Sequence, residues 1–193
     1  SKALVLNNAV NPVDSNELDP NQIHSNYICT IARPSYQKNL EMLLEVFLLV
    51  SKRYKETHLY IIGAGEYSPS LNKINQIISD YSLEDRITIL PWIPRKRVLS
   101  ILKNSKIYVS TSRYEGMPFS VIESMSLKVP CILTDTDGNR DLVVDGFNGY
   151  IIKNMNIEQM STKICTLIEN NSKRKQLGQN AHAFYKKHHL LTN

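Results

Sequence analysis

The chain has 193 residues, enough for one sizeable domain with a hydrophobic core of its own. It is 42% hydrophobic and 21% charged, with 23 Lys and Arg against 18 Asp and Glu and a net charge of +5 at pH 7. Those proportions exclude intrinsic disorder, collagen and coiled coil, and the mild basic excess favours anionic ligands without choosing among phosphates, nucleic acid and acidic headgroups. Cys29, Cys131 and Cys165 sit among apolar neighbours without metal-ligand spacing, so they read as buried thiols of a reducing compartment. No apolar run approaches the roughly 18 residues of a spanning helix, and no signal-peptide pattern opens the chain. A chain that begins at Ser1 reads as a piece of something longer.

Short aliphatic or β-branched runs alternate with amphipathic stretches. Asn26 to Ile31 reads as a strand, and a polar turn with Pro34 follows it. Asn39 to Tyr54 carries Leu40, Leu43, Leu44, Phe47, Leu48 and Val50 at helical spacing. A second strand is expected over His58 to Ile62, closed by Gly63-Ala64-Gly65, with a helix over Ser70 to Tyr81. The beat continues with strands at Ile87–Leu90, Ile107–Ser110, Pro130–Thr134 and Gly149–Ile152. Helices are expected over Arg95–Lys103, Pro118–Ser126, Ile157–Glu169 and Lys173–Lys187, with Pro118 in a first turn where its missing N–H costs nothing.

Strand and helix alternating at this spacing predict an α/β domain, a Rossmann-like parallel sheet with helices on both faces. Ligands of such a sheet lie at the carboxyl ends of its strands. The domain proper is expected over 26–193, and the Pro- and Asn-containing stretch 1–25 reads as a linker entering it.

Of the seven glycines, Gly63, Gly65, Gly116 and Gly138 fall directly after expected strands, where backbone comes close to a ligand; plain turn punctuation is the alternative. Gly63-Ala64-Gly65 lacks the third glycine of the dinucleotide fingerprint, which argues against a nicotinamide enzyme.

Between Ser112 and Glu123 a strand ends, Gly116 turns the chain and a helix begins at Pro118. Exposed N–H groups at such a start, with the helix dipole, suit a phosphate. Glu115 and Glu123 stand eight residues apart, a rise of about 12 Å if the stretch were helical. Carboxylates so separated cannot share a proton or a metal, but they could hold the two ends of an elongated ligand; a surface Glu and a helix-face Glu are the alternative. Arg33 and Lys38 bracket the turn Pro34-Ser35-Tyr36-Gln37, with Lys38 at the expected helix start. A cation there opposes the helix dipole unless an anion lies nearby, which argues for phosphate; two solvated basic residues are the alternative. Downstream, Asp137-Gly138-Asn139-Arg140 reads as a polar glycine loop on the same strand edge as Glu115, while Asp145-Gly146 and Asn148-Gly149 read as tight structural turns.

In chain order these residues resemble the C-terminal, donor-binding domain of the retaining GT-B glycosyltransferases of family 4, the group-1 superfamily of bacterial polysaccharide assembly. Asn7-Asn8-Ala9-Val10 is similar to the "P-N-G-V-D" hinge, without its proline. Arg33 and Lys38 resemble the family's arginine–lysine pair, and Gly63-Ala64-Gly65 its "G-x-G". Glu115 and Glu123 fit "E-x7-E". Gly138-Asn139-Arg140-Asp141 and Asp145-Gly146-Phe147-Asn148-Gly149 fit "G-x-x-E" and "D-G-x-N-G", with Asp141 in place of the usual Glu. Ser126-Leu127-Lys128 departs from the small residue and glycine common in members.

The resemblance implies a nucleoside-diphosphate sugar as substrate, UDP-linked and N-acetylated for preference, transferred with retention to a polysaccharide or lipid-linked acceptor. Arg33 and Lys38 would hold the diphosphate and stabilise the leaving nucleotide, electrostatic catalysis in place of a metal, so no cofactor is expected. Backbone N–H groups of Gly116, Met117, Pro118 (which has none of its own) and Phe119 would form the segment meeting sugar and phosphates. Glu115 would contact sugar hydroxyls and favour the positive charge developing at the anomeric carbon, and Glu123 would accept from the ribose hydroxyls. The base would lie near Trp92 and Ile93, where Trp92 reads equally as core or as a stacking partner, and Gly63 is expected among the substrate-binding residues. The implied setting is cytoplasmic, with the whole enzyme at the inner membrane face and a separate N-terminal domain reading the acceptor. The chain alone would then bind donor and transfer nothing.

Two other classes compete. A nucleotide-sugar epimerase or phosphorylase of related fold would need a catalytic histidine or cofactor-lysine motif, and none is found in the sequence. A nucleic-acid or membrane-binding module is suggested by Lys173-Arg174-Lys175 and Lys186-Lys187-His188-His189, but these lack a series of stacking aromatics and read better as a solvated helix face. Asp135 and Asp137 have the look of an "Asp-x-Asp" metal clamp, yet they read as turn formers, and no metal is expected.

Overall fold

A computed structural model describes residues 8–11 and 24–190 of the chain. Six strands, β1 (Tyr27–Ile31), β2 (His58–Ile62), β3 (Ile87–Leu90), β4 (Tyr108–Ser110), β5 (Cys131–Thr134) and β6 (Gly149–Ile152), form one sheet in the order β3-β2-β1-β4-β5-β6. All neighbouring pairs are parallel. Among the described residues seven α-helices connect or follow them: α1 (Leu40–Arg53), α2 (Leu71–Asp80), α3 (Arg95–Asn104), α4 (Phe119–Ser126), α5 (Asp137–Leu142), α6 (Ile157–Glu169) and α7 (Asn171–His188).

The pleat sorts the side chains onto two faces. Ile28, Leu59, Ile61, Val109 and Ile132 pack on one side with Leu43, Phe47, Ile74 and Ile164 of α1, α2 and α6. Cys29, Tyr60, Tyr108, Cys131 and Leu133 pack on the other with Leu102, Ile122, Met125, Leu142 and Tyr185 of α3, α4, α5 and α7. Because both faces are covered, β2 is buried from end to end and reads as a continuous apolar run without alternation. All three cysteines are buried and free, and burial pushes the Cys29 thiol up to about 12.

Three local expectations change. The stretch Asp137–Leu142 is a short helix and not a loop. Asn39, in the left-handed region at φ 47 and ψ 48, separates Lys38 from the start of α1. Pro118 is the N-cap of α4, so the residues from Glu115 to Pro118 are outside the helix and the helical rise does not set the separation of the two glutamates. Lys128, where many family members carry glycine, adopts φ 62, a left-handed conformation that glycine favours. Gly178 lets α7 pack there, since a Cβ would stand 2.1 Å from the Lys128 carbonyl oxygen.

Of the expected linker 1–25, most lies outside the described residues. Asn8 to Val10 do not behave as a free linker: Val10 is buried and bridges in parallel to Leu190 just past α7. Lys175, Lys186, Lys187 and His188 are exposed on α7 as a solvated face, while the adjoining His189 is buried. Among the described residues no helix is long and apolar enough to cross a membrane.

Candidate functional site

The strand order reverses between β1 and β4, so the crossovers leaving these neighbours go to opposite faces and a crevice opens beyond their carboxyl ends. The two loops that start there are stitched together. Arg113 N donates to Gln37 O at 2.8 Å, Gln37 Nε2 to Tyr114 O at 3.2 Å and Thr111 Oγ1 to Asn39 O at 3.0 Å. The Arg113 guanidinium stacks 4.5 Å over the Tyr36 ring and donates to Asn39 Oδ1 at 2.8 Å.

This stitching sets Lys38 against Glu115. Lys38 Nζ lies 2.5 Å from Glu115 Oε1, and Ser112 Oγ donates to the same oxygen at 2.7 Å. The Glu115 side chain is 8% exposed and that of Lys38 25%. The anion that Lys38 was expected to need is therefore supplied here by Glu115, across the switch point of the sheet, and the dipole misfit by itself no longer argues for phosphate.

Beside this pair lies a cleft of about 450 Å³. Its polar walls are Arg33, Lys38, Arg95 and Glu123, and its apolar walls include Ile31, Ile62, Gly63, Pro91, Trp92, Ile93 and Val98. Trp92 is 82% exposed, which rules out the core alternative for it. Glu123 is buried on the inward face of α4 and pairs with Arg95 Nη1 at the start of α3. Of the expected site residues, Arg33, Lys38, Gly63, Trp92, Ile93 and Glu123 thus meet in one cleft.

Glu115, Gly116, Met117, Pro118 and Phe119 do not line that cleft. Glu115 instead borders a smaller polar recess of about 200 Å³ with Arg113, Tyr114, Asp135, Thr136, Asp137 and Arg140. Arg140 pairs with both Asp135 and Asp137; the first pair ties α5 to the end of β5, and the second lies within α5. The bond to Asp135 holds the Arg140 guanidinium above its ordinary pKa. Asp141, on α5, is exposed. Among the described residues no group of three or more His, Cys, Asp or Glu side chains is placed to hold a metal ion.

The supporting hydrogen bonds come from residues that sequence reasoning passed over. Thr134 Oγ1 donates to Ser112 O at 2.5 Å, holding the chain just before Glu115, and buried Asn139 donates to Thr134 O at 2.9 Å, tying α5 to β5. Tyr108 OH donates to Ser120 Oγ at 2.8 Å and anchors the start of α4; burial raises the phenol pKa and keeps it a neutral donor. Arg95 was also missed, although a signal existed. Arg95, Lys96 and Arg97 place three cations in the first turn of α3, against the helix dipole, the same misfit noted for Lys38.

The sequence profile described as "Glycosyl transferases group 1" matches residues 16–184. The chain belongs to the group 1 glycosyl transferases. It is 34% identical over 154 residues to a poly(ribitol-phosphate) alpha-N-acetylglucosaminyltransferase of Staphylococcus aureus, covering 78% of this chain and 30% of that protein. It is 32% identical over 152 residues to a poly(glycerol-phosphate) alpha-glucosyltransferase of Bacillus subtilis, covering 78% of this chain and 22% of that one. Among solved structures, a TarM variant from S. aureus in complex with fondaparinux, alpha-GlcNAc-glycerol and UDP superposes with a TM-score of 0.80 at 29% identity. That match covers 93% of this chain and 35% of the TarM chain. The group 1 chain thus spans well under half the length of these relatives, and the fold expected from the resemblance is the one observed.

Proposed function

We propose that this chain is the donor-binding half of a retaining glycosyltransferase that moves a sugar from a nucleoside diphosphate to a polysaccharide or lipid-linked acceptor. The observation that carries the reading is the Lys38–Glu115 pair across the β1–β4 switch point, beside a cleft that also holds Arg33, Arg95 and Glu123. Arg33 and Lys38 bind the diphosphate and neutralise the charge that grows on it as the glycosidic bond breaks. Glu115 faces the sugar and favours the positive charge at its anomeric carbon. Glu123 accepts from the ribose, and Trp92 and Ile93 border the base. Each role uses a residue that the resemblance assigned and that the fold brings to this edge of the sheet.

A UDP-linked hexose or N-acetylhexosamine is the favoured donor, supported by the UDP bound to the TarM variant and by the names of the two curated relatives. With lysine and arginine carrying the charge compensation, the reaction proceeds without a metal cofactor. The acceptor is positioned by a second domain, and positioning supplies much of the rate. The 193-residue chain therefore binds donor, with no transfer beyond slow donor hydrolysis. A cytoplasmic site of action, with the complete enzyme at the inner membrane face, fits a nucleotide-sugar substrate.

Titration calorimetry tests the proposal. UDP and a UDP-sugar should bind saturably in the micromolar to millimolar range, with or without chelator, and an oligonucleotide should not compete. Absence of binding by every common nucleoside diphosphate would overturn the donor reading. A strict requirement for Mg²⁺ or Mn²⁺ would overturn the metal-free one.

A further inference from the structure

The segment Asn8–Val10 is held from two sides. Val10 N donates to His189 O at 3.0 Å, Tyr185 OH donates to Val10 O at 2.8 Å, and His189 Nδ1 lies 2.8 Å from Asn8 O. These bonds fasten it to the end of α7. On its other side, Asn8 Nδ2 donates to Met117 O at 2.8 Å, and Asn8 N approaches Met117 Sδ at 3.2 Å. Met117 is two residues past Glu115, in the non-helical stretch before α4.

In that stretch Glu115 is held by Lys38 and Ser112, Gly116 by the backbone of Gly138, and Met117 by partial packing on the core. A Cβ at Gly116 would meet nothing within 4 Å, so the side of Gly116 where its Cβ would stand is open. Its carbonyls are caught at two points: Gly138 N donates to Glu115 O at 3.1 Å from the α5 side, and Asn8 catches Met117 O from the other. Asn8 is 109 residues from Met117 in sequence. The loop's position is therefore referred to the strand-like segment running along α7, and not only to the sheet beneath it.

We propose that Asn8 is a positioning residue. Its side-chain amide pins the Met117 carbonyl, and through that carbonyl sets where the Glu115 backbone and the first turn of α4 stand relative to the Asn8–Val10 segment. A shift of that segment along α7 moves the pin, so the Glu115 loop follows the segment. The consequence for turnover rests on the role of Glu115 proposed above; the tie itself does not.

Asn8→Asp tests the tie with almost no change of size, because it replaces the side-chain amide that donates to the Met117 carbonyl by an oxygen and leaves the backbone N–H in place. Hydrogen exchange of the 193-residue chain should speed up about tenfold at Gly138 and Val121, whose N–H groups donate to Glu115 O and Pro118 O on this stretch, with exchange in β1, β2 and α1 unchanged. Asn8→Gln, which keeps an amide donor, should restore part of the protection. In the complete protein carrying this chain, Asn8→Asp should lower kcat about tenfold while the Kd for UDP moves by no more than about threefold. Exchange at Gly138 and Val121 within about twofold of the parent would overturn the proposal. So would a general rise in exchange through β1 and β2, which would make Asn8 a stability residue only. If the parent protein neither binds UDP nor transfers sugar, the donor reading fails while the exchange pattern still decides the tie.

Discussion

Gly138 touches Gly116 backbone to backbone: a Cβ on Gly138 would stand 1.5 Å from the Gly116 carbonyl oxygen and 2.9 Å from that of Glu115. The start of α5 is therefore pressed against the loop that carries Glu115, and the Gly138 N–H donates to Glu115 O at 3.1 Å. No rotamer change relieves such a clash, because both partners are main chain. Gly138→Ala should cost about 2–3 kcal/mol, the range of an overpacked core position. It should also abolish use of a nucleotide sugar. Denaturant unfolding of the variant, beside donor titration, checks both; unchanged stability would mean that α5 can retreat freely.

The two glutamates should separate by ligand. Glu123→Gln is expected to weaken UDP and a UDP-sugar alike, by about 1–3 kcal/mol for a hydrogen bond lost from a charged group. Glu115→Gln should spare UDP and act on the sugar-linked donor and on turnover. Its buried carboxylate receives Lys38 and Ser112 together, so some loss of stability accompanies it. Equal losses for both ligands in both variants would reverse the assignment.

Arg95 shares its charge between Glu123 and open solvent. Its side chain is 58% exposed, so removing the pair should change stability by less than about 1 kcal/mol. The cleft, however, loses one of three cations available to a diphosphate. Arg95→Gln should raise the Kd for UDP about fivefold and flatten its dependence on salt. Tighter binding would instead mean that Arg95 competes with the ribose for Glu123.

His58 opens β2 away from the site and should give the fold a pH dependence. Burial, with His24 stacked at 3.9 Å and the charge of Arg86, lowers its pKa to about 4 from 6.5. The unfolded chain then binds the proton more tightly than the folded one, so stability rises with pH. The neutral-His58 contribution is complete above pH 6.5, is lost as the pH falls toward 4, and changes no further below that. The urea midpoint should fall over this window more steeply for the parent than for His58→Gln, which keeps a polar partner for Thr88. Parallel profiles would assign the effect to other groups, of which His182, also lowered by burial, is one.

The succession of elements and the chemistry of their loops are legible in the chain alone. The alternation of short apolar strands with 3.6-residue periodicity was readable because both signals are local, and Ile157–Glu169 was bounded to the residue. Arg33, Lys38, Glu115 and Glu123 were legible because motif spacing survives without knowledge of what touches what. The pairings between those loops depend on the fold. Strand order is a matter of which crossovers pack on which face, so only the fold could bring Lys38 to Glu115 across 77 residues and Arg95 to Glu123 across 28. The same holds for Asn8 on Met117 and for Gly138 against Gly116. Those contacts pair side chains and backbone across the sheet edge, and a linear pattern carries the identity of each group without its distance from any other.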